Sequence, residues 1–292
     1  MLLARGCGIA TASRRAGMWC ARRLLASEAN KGTGATMSGS SSVDPREIEK
    51  FAKRANEWWD TGGTYGPLHR LNYARSPFIR MAACDHYGLN AEQRRPLESL
   101  SVVEVGCGGG ILSESLAAMG AKVTAIDAAE ESIEVAREHL KRNKVVPDGR
   151  LSYVATTGEA LASENRRFDV VVSSEVVEHV VDPPSFCRTL AELCKPGGLV
   201  VMSTINRTVW SYSLAIVAAE RILGMAPRGA HDWNQFVTPD ELTIMCEDAG
   251  LGLTAVSGMR WSLPKNQFEL SRDTSVNYIA AFSKAGDRGA GE

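Results

Sequence analysis

The chain of 292 residues is long enough for one large domain or two small ones, and its 44% hydrophobic content is ordinary for a globular protein. Its formal net charge of -1 gives no indication of nucleic-acid binding, so no nucleic-acid partner is expected. Seven cysteines without a Cys-x-x-Cys pair argue against a disulfide framework or a zinc site and favour a reducing compartment.

The first 27 residues contain five arginines and no acidic residue, with apolar residues between the arginines. This composition is typical of a mitochondrial transit peptide, and the long apolar core of a secretory signal is missing from it. A basic tail without a targeting role is the alternative. A Gly/Ser/Thr-rich linker follows, so we assign residues 1–37 to a transit peptide and linker, cleaved between about residues 25 and 40.

Residues 38–100 are predicted to form an N-terminal helical cap over the pocket described next. The Asp-Pro-Arg-Glu segment at 44–47 has the pattern of a helix start, with the acid as N-cap and proline in the first turn. Prolines at both ends of residues 66–80 predict breaks there, and a second helix is expected over Pro77–Tyr87. Two candidate cation sites lie in this region, Arg70 and Arg75.

A nucleotide-binding pattern follows the cap. The sequence predicts a buried strand over Val102–Val105, a glycine turn at Gly106–Gly110, a helix over Ile111–Met119 and a second strand over Lys122–Asp127. Glycines let the backbone approach a ligand that a Cβ would push away. Asp127, at the end of the second strand, can accept two hydrogen bonds from ribose hydroxyls.

The spacing of the glycines favours one kind of nucleotide. A dinucleotide fingerprint has a glycine three residues after its second glycine, and counted from Gly108 this place is Ile111. Glu104 stands two residues before Gly106, where it can meet an ammonium group rather than a phosphate. The pattern E-x-G-x-G-x-G resembles motif I of the class I S-adenosylmethionine-dependent methyltransferases. A tight strand-to-helix turn without a ligand is the alternative.

Strands and helices alternate along the rest of the chain. Strands are expected over residues 151–155, 168–174 and 199–204, with an antiparallel edge hairpin of 251–261 and 276–282. Helices are expected over residues 130–143, 182–193 and 238–250. Residues 101–285 are therefore predicted to form an α/β domain: a Rossmann-like, seven-stranded class I methyltransferase sheet with helices on both faces. A flexible tail is expected over residues 286–292.

Three ionisable side chains follow the fourth strand, at the sheet edge where open α/β folds bind ligands. Glu175, Glu178 and His179 would cluster if this segment turned helically. Two carboxylates and an imidazole can hold a divalent cation: oxygen ligands favour Mg²⁺ or Ca²⁺, and histidine also admits Zn²⁺ or Mn²⁺. A similar segment occurs in class I methyltransferases that need no metal, where the histidine orients a substrate or acts as a base.

A long, mostly apolar segment, about residues 206–230, separates the fifth strand from the next helix. It is too short and too charged to cross a bilayer. A lid helix packed on the core and an interfacial helix that dips into the membrane are the two interpretations. His231, Asp232 and Trp233 follow it and are candidates for the mouth of the substrate site.

From about residue 48 to 284 the chain resembles the mitochondrial ubiquinone-biosynthesis O-methyltransferases. The glycine turn and the KPGG stretch are shared with many methyltransferases, whereas WWD at 58–60, PLHRLN at 67–72 and G-x-HDW at 229–233 are specific to this family. The resemblance implies transfer of the S-adenosylmethionine methyl group to a phenolic oxygen of polyprenyl-dihydroxybenzoate and of demethylubiquinol. It also implies peripheral lipid contact on the matrix side of the inner mitochondrial membrane, and other ubiquinone-biosynthesis enzymes as partners in a complex.

Matched residue by residue, the resemblance implies a set of cofactor contacts. Arg75 is suited to the methionine carboxylate, Gly106 and Asp127 match the family's glycine and ribose-binding acid, and Ser174 is expected to act through its backbone. The expected cofactor-binding residues are therefore Arg75, Glu104, Gly106, Gly108, Asp127 and Ser174.

The same resemblance assigns the three side chains after the fourth strand. Glu175, Glu178 and His179 match divalent-metal ligands, usually of magnesium, which would bind both catechol oxygens. Glu175 and His179 are the expected catalytic residues, and His179 or His231 is the general base where no metal acts.

Three other functions compete with this one. A carbon-methylating quinone enzyme is the nearest. A nicotinamide-dependent oxidoreductase is disfavoured by Ile111 and Glu104. A non-catalytic subunit of a membrane complex is disfavoured by intact Glu104, Gly106, Asp127 and Glu175.

Overall fold

The protein is described here by a computed structural model covering residues 42–208 and 235–286. The predicted transit peptide, the body of the predicted membrane-facing segment and the end of the predicted tail lie outside these residues. So do His231, Asp232 and Trp233. Within the two described ranges, no helix is long and apolar enough to span a bilayer.

Eight strands form one sheet in the order β3-β2-β1-β4-β5-β8-β6-β7. The strands are β1 Ser101–Val105, β2 Lys122–Asp127, β3 Leu151–Ala155, β4 Phe168–Ser174, β5 Cys194–Ile205, β6 Leu251–Ser262, β7 Gln267–Ser271 and β8 Asn277–Lys284. Strands β1 to β5 are parallel, and β8 lies antiparallel between β5 and β6.

The sheet has one strand more than the seven expected. After β6 the chain turns back at once, and β7 pairs antiparallel with β6 from Gly258↔Ser271 to Ser262↔Gln267. The expected loop between residues 261 and 276 contains this strand, and Gln267–Ser271 does alternate polar and apolar residues as a half-buried edge strand does.

Seven helices connect and cover the strands in the described part of the chain. They are α1 Pro45–Ala52, α2 Gly66–Tyr87, α3 Ile111–Ala118, α4 Glu130–Leu140, α5 Gly158–Ser163, α6 Pro183–Leu193 and α7 Pro239–Asp248. The expected starts of α1, α6 and α7 are confirmed: the side chains of Asp44, Asp182 and Thr238 each accept a backbone N–H of the first turn.

The prediction of a break between residues 66 and 80, with a new helix at Pro77, is wrong. Pro67 lies in the first turn of α2, where its missing N–H costs nothing, and α2 continues through Pro77 to Tyr87. Ala74 and Phe78, on either side of Pro77, are both 0% exposed. Their packing against the sheet outweighs the one hydrogen bond that the proline removes.

Helices bury both faces of the sheet, as the parallel part of an α/β sheet requires. On one face α2, α3 and α4 contribute Phe78, Leu116 and Ile133 to the core. On the other face α5, α6 and α7 contribute Leu161, Leu190 and Leu242. The predicted Rossmann-like α/β fold is confirmed, and the carboxyl ends of β1, β2 and β4 meet at one edge, below α1 and α2.

Candidate active site

A cavity of about 1030 Å³ lies at the carboxyl ends of β1, β2 and β4. This size matches pockets that enclose a cofactor or a drug-sized ligand. All nine residues that the sequence analysis selected line it: Arg75, Glu104, Gly106, Gly108, Asp127, Ser174, Glu175, Glu178 and His179. The structure therefore brings the predicted cofactor residues and the predicted catalytic residues to one place.

The glycine turn after β1 has left-handed backbone at Gly106, Gly108 and Gly110, with φ of +78°, +51° and +84°. A Cβ on Gly108 would lie 2.3 Å from the Trp58 ring, and one on Gly106 would lie 2.4 Å from Val176. These glycines are therefore required by protein packing as well as by any ligand. Both interpretations of the turn, a ligand contact and a tight strand-to-helix connection, are therefore compatible with these glycines.

Trp58 and Trp59 attach the cap to this turn. The indole N–H of Trp58 donates to Ser132 at 3.0 Å, and that of Trp59 donates to the carbonyl of Gly109 at 3.0 Å. Tyr65 stacks on Trp58 with ring centroids 3.8 Å apart. The WWD stretch, noted in the sequence only as a family signature, thus covers the glycine turn from the N-terminal side.

Asp127 ends β2 with its carboxylate held in place. One oxygen accepts the N–H of Gly108 and the other accepts the N–H of Ala129, both at 2.8 Å. Burial raises the pKa of Asp127, although these hydrogen bonds oppose the shift. Each carboxylate oxygen retains acceptor capacity, so the group is oriented and can receive two further donors.

Glu104, on β1, is only 2% exposed and accepts a hydrogen bond from the Ser113 hydroxyl. Burial raises its pKa to about 7, while Ser113 and the charge of Arg75 act in the opposite direction. A carboxylate that is costly to ionise here would be stabilised by a ligand cation.

Arg75 is a buried cation on α2, 4% exposed. It donates to Asn72 Oδ1, to the carbonyl of Leu68 at 3.0 Å and, through Nη1, to Ser174 Oγ at 2.8 Å. One of the five N–H donors of a guanidinium remains for a ligand carboxylate. Burial lowers the pKa of Arg75, and the charges of Glu175 and Glu104 counteract it.

Glu175 connects to Arg75 through two serines. Ser203 Oγ donates to Glu175 at 2.8 Å and lies 2.6 Å from Ser174 Oγ, which accepts from Arg75. The Ser174 hydroxyl is thus occupied by protein, and the expected backbone contact of Ser174 with the cofactor stays a prediction. Glu175 has a φ of +57°, a conformation that non-glycine residues adopt rarely and often at functional sites. Burial and then the charge of Glu178 raise its pKa to about 7.

His179 pairs with a residue of the cap. Its Nδ1 lies 2.9 Å from Glu47 Oε2, and its ring meets Phe51 edge to face. Burial alone would lower the pKa of His179, but the hydrogen bond to Glu47 and the charges of Glu178 and Glu47 outweigh it, so the pKa is raised. Sequence reasoning missed Glu47, which it used only as part of a helix start.

The three expected metal ligands do not converge. Glu178 is buried and accepts the Thr204 hydroxyl at 2.7 Å, Glu175 faces Ser203, and His179 faces Glu47. Among the residues that the structure describes, no group of three His, Cys, Asp or Glu side chains is arranged to hold a metal ion. In this arrangement the residues present do not fit a Mg²⁺ ion, so metal ligation by them stays a prediction.

The fold matches known methyltransferase structures. A family model described as a methyltransferase domain matches residues 45–256. The magnesium protoporphyrin IX methyltransferase of Synechocystis, solved with bound S-adenosylmethionine, aligns with a TM-score of 0.53 and 16% identity, over 84% of this chain and 100% of that one.

The sequence matches a narrower group. The ubiquinone biosynthesis O-methyltransferase of Parvibaculum lavamentivorans is 43% identical, over 85% of this chain and 96% of the relative. That of Methylobacterium nodulans is 47% identical, over 82% and 95%. The mitochondrial protein of the same name from Arabidopsis thaliana is 41% identical, over 86% and 78%. Identity of this extent over most of both chains shows that the protein belongs to the ubiquinone biosynthesis O-methyltransferases and is an S-adenosylmethionine-dependent methyltransferase.

Proposed function

We propose that the chain methylates a phenolic oxygen of two polyprenylated catechols, polyprenyl-dihydroxybenzoate and demethylubiquinol. The observation that carries the proposal is the charge pattern of the cavity. Arg75 and the carboxylates of Glu104 and Asp127 are among the charged side chains that line the same space as His179. S-Adenosylmethionine carries a carboxylate, an ammonium group and two ribose hydroxyls, which complement these three side chains.

In the bound complex, Asp127 accepts hydrogen bonds from the ribose hydroxyls, Glu104 accepts from the ammonium group, and the remaining Nη1–H of Arg75 donates to the carboxylate. S-Adenosylmethionine supplies a methyl group that its sulfonium centre already activates. The protein therefore mainly aligns this methyl group with the phenolic oxygen and excludes water, an alignment worth several orders of magnitude in rate.

His179 is the proposed general base. Glu47 fixes its Nδ1, so the other ring nitrogen accepts the phenolic proton as the oxygen attacks the methyl carbon. General-base catalysis of this kind contributes roughly 10²–10⁴ in rate. Glu175 is the second proposed catalytic residue, because its carboxyl group lines the same cavity with a raised pKa. Glu175→Gln should lower turnover far more than cofactor binding.

The family resemblance predicts that Mg²⁺ binds at Glu175, Glu178 and His179. It would require Glu178 to leave Thr204 and His179 to leave Glu47. The proposed mechanism therefore involves no metal ion. Calorimetric titration of the metal-free protein with Mg²⁺, with a Glu178→Gln variant as control, tests whether these side chains bind the ion.

We place the protein on the matrix side of the inner mitochondrial membrane, bound peripherally and in contact with other enzymes of the pathway. The arginine-rich N-terminus and the mitochondrial Arabidopsis relative support this location. Import into isolated mitochondria tests the transit peptide. Liposome flotation of the wild-type chain against a Trp210→Ser, Leu214→Ser, Ile222→Ser variant tests the membrane-facing segment; equal flotation contradicts it.

Methyl transfer from S-adenosylmethionine to a short-chain catechol, with product analysis, tests the chemistry. An O-methylated product is expected. Methylation of ring carbon instead supports the quinone C-methyltransferase alternative. Binding of NADH but not S-adenosylmethionine in calorimetry would overturn the proposal in favour of the oxidoreductase.

A further inference from the structure

The additional strand, β7, creates a surface that the cofactor and the catechol ring do not use. Strands β6 and β7 form a hairpin whose tip, residues 263–266, projects from the sheet edge. Five of its residues line the cavity: Met259, Arg260, Trp261, Leu263 and Phe268. We refer to the four apolar side chains among them as the hairpin strip.

The hairpin strip runs from the protein interior to its surface. Side chains two residues apart on a strand share one face, so Met259 and Trp261 follow one another along β6, and Leu263 is the first residue of the turn beyond it. Met259 is 1% exposed, Trp261 is half-buried, and Leu263, at the tip, is 83% exposed. A continuous apolar path thus leads from the cavity to the surface.

The middle of this path is held firmly. Trp261 is the cross-strand partner of Phe268, and their rings meet edge to face with centroids 5.1 Å apart. The guanidinium of Arg70, on α2, lies 5.9 Å from the Trp261 ring centroid, a cation–π distance. The Trp261 ring is therefore held in place from two sides. A rigid apolar surface of this kind suits a hydrocarbon ligand that forms no specific hydrogen bonds.

Leu263 lines the cavity and is also exposed at the hairpin tip, so it lies where the cavity opens to the surface. We propose that the hairpin strip binds the polyprenyl chain of the substrate and guides it out of the active site, with Leu263 at the exit. This inference rests on the proposed function, because it takes the prenylated catechol as the substrate. The catechol ring lies near His179, and the tail leaves along β6.

The test compares two substrates, dihydroxybenzoate with a farnesyl chain and the same acid without it. Leu263→Ser should raise KM for the farnesylated substrate roughly tenfold, because an apolar contact of leucine size is lost. It should leave kcat, and both parameters for the tail-free acid, unchanged. Leu263→Met should restore the KM. Val145→Ser, a matched control, alters a side chain that is 71% exposed and does not line the cavity.

Equal effects of Leu263→Ser on both substrates, or an equal effect of Val145→Ser, would overturn the inference. A wild-type chain that methylates neither substrate instead refutes the proposed function. A farnesyl chain with a terminal diazirine gives a second readout that does not need turnover. Trypsin cuts after Arg260 and Lys265, so label is expected on the peptide 261–265. Label found only on other peptides contradicts this path for the tail.

Discussion

Replacing Glu104, on β1, by glutamine should remove the pH dependence of cofactor binding that we expect from the titration of this carboxyl group. Glu104 is 2% exposed, and burial raises its pKa to about 7 in the free protein. In the proposed complex, the ammonium group of S-adenosylmethionine pairs with the ionised carboxylate of Glu104. Below pH 7 the protein must therefore lose a proton before it binds, and the apparent affinity falls with the ionised fraction.

The size of the effect follows from that fraction. With a pKa of about 7, roughly half of Glu104 is ionised at pH 7 and about a tenth at pH 6, so the dissociation constant should rise roughly six- to eightfold from pH 7.5 to pH 6. In the Glu104→Gln variant, binding should be weaker at pH 8 and nearly constant between pH 6 and 7.5. Below pH 7.5 the ammonium group of the ligand stays charged, so it adds little of its own.

Stability should change in the opposite sense. Between the ordinary value of 4.5 and about 7, the folded protein holds a proton on Glu104 that the unfolded chain has lost. The free energy of unfolding therefore falls as the pH rises through this window, by about 3 kcal/mol at 1.36 kcal/mol for each pH unit. The glutamine variant lacks this contribution, so its stability should fall less between pH 4.5 and 8.

Isothermal titration calorimetry in buffers of different ionisation enthalpy measures both the affinity and the proton released. Urea denaturation at the same pH values measures stability. A wild-type affinity that is constant from pH 6 to 8, with no proton release, would refute the reasoning, because Glu104 would then already be ionised in the free protein.

Three further predictions concern other parts of the site. Asp127→Asn should weaken S-adenosylmethionine binding by roughly tenfold to a hundredfold, because hydrogen bonds to a charged acceptor are lost; calorimetry measures this, and an unchanged affinity contradicts the ribose contact. Glu47→Gln should lower kcat at least tenfold with little change in cofactor affinity, because His179 loses its anionic partner; Glu49→Gln, on the exposed side of α1, is the control, and equal kcat for both variants refutes the pairing. Trp58→Ala should reduce the free energy of unfolding by about 3–5 kcal/mol, because a buried indole is removed from the glycine turn; in urea denaturation, a loss below about 1 kcal/mol would show that Trp58 packs loosely.

Local patterns were sufficient for most of the fold. The glycine turn, the acid at the end of β2 and the cap residues Asp44, Asp182 and Thr238 are encoded within a few residues each, and the structure places them as expected. Tertiary packing decided the rest. The continuity of α2 through Pro77 depends on contacts with the sheet, and β7 depends on pairing with β6.

The expected three-residue cluster shows why the site was harder to predict. Its spacing predicts that the three side chains share one face of a helix. The left-handed backbone at Glu175 prevents a continuous helix, and only Val177–His179 forms a 3-10 turn. The side chains consequently point to partners from other elements. The pairing of His179 with Glu47 joins positions far apart in the chain, and residue spacing in the sequence cannot predict such a contact.

Because Trp58 lies so close to Gly108 and Gly109, the residue type at each of these positions limits which residues the others can accept during evolution. A Cβ on Gly109 would lie 2.4 Å from Trp58. The nearest atoms are Cβ and Cγ of Trp58, so a smaller side chain there would not relieve the clash, and a relative with alanine at the place of Gly109 should have its cap backbone farther from the turn. Removing the residues up to Tyr65 would therefore do more than open the cofactor site. The glycine turn at residues 106–110 would also lose the Trp58 surface that it packs against.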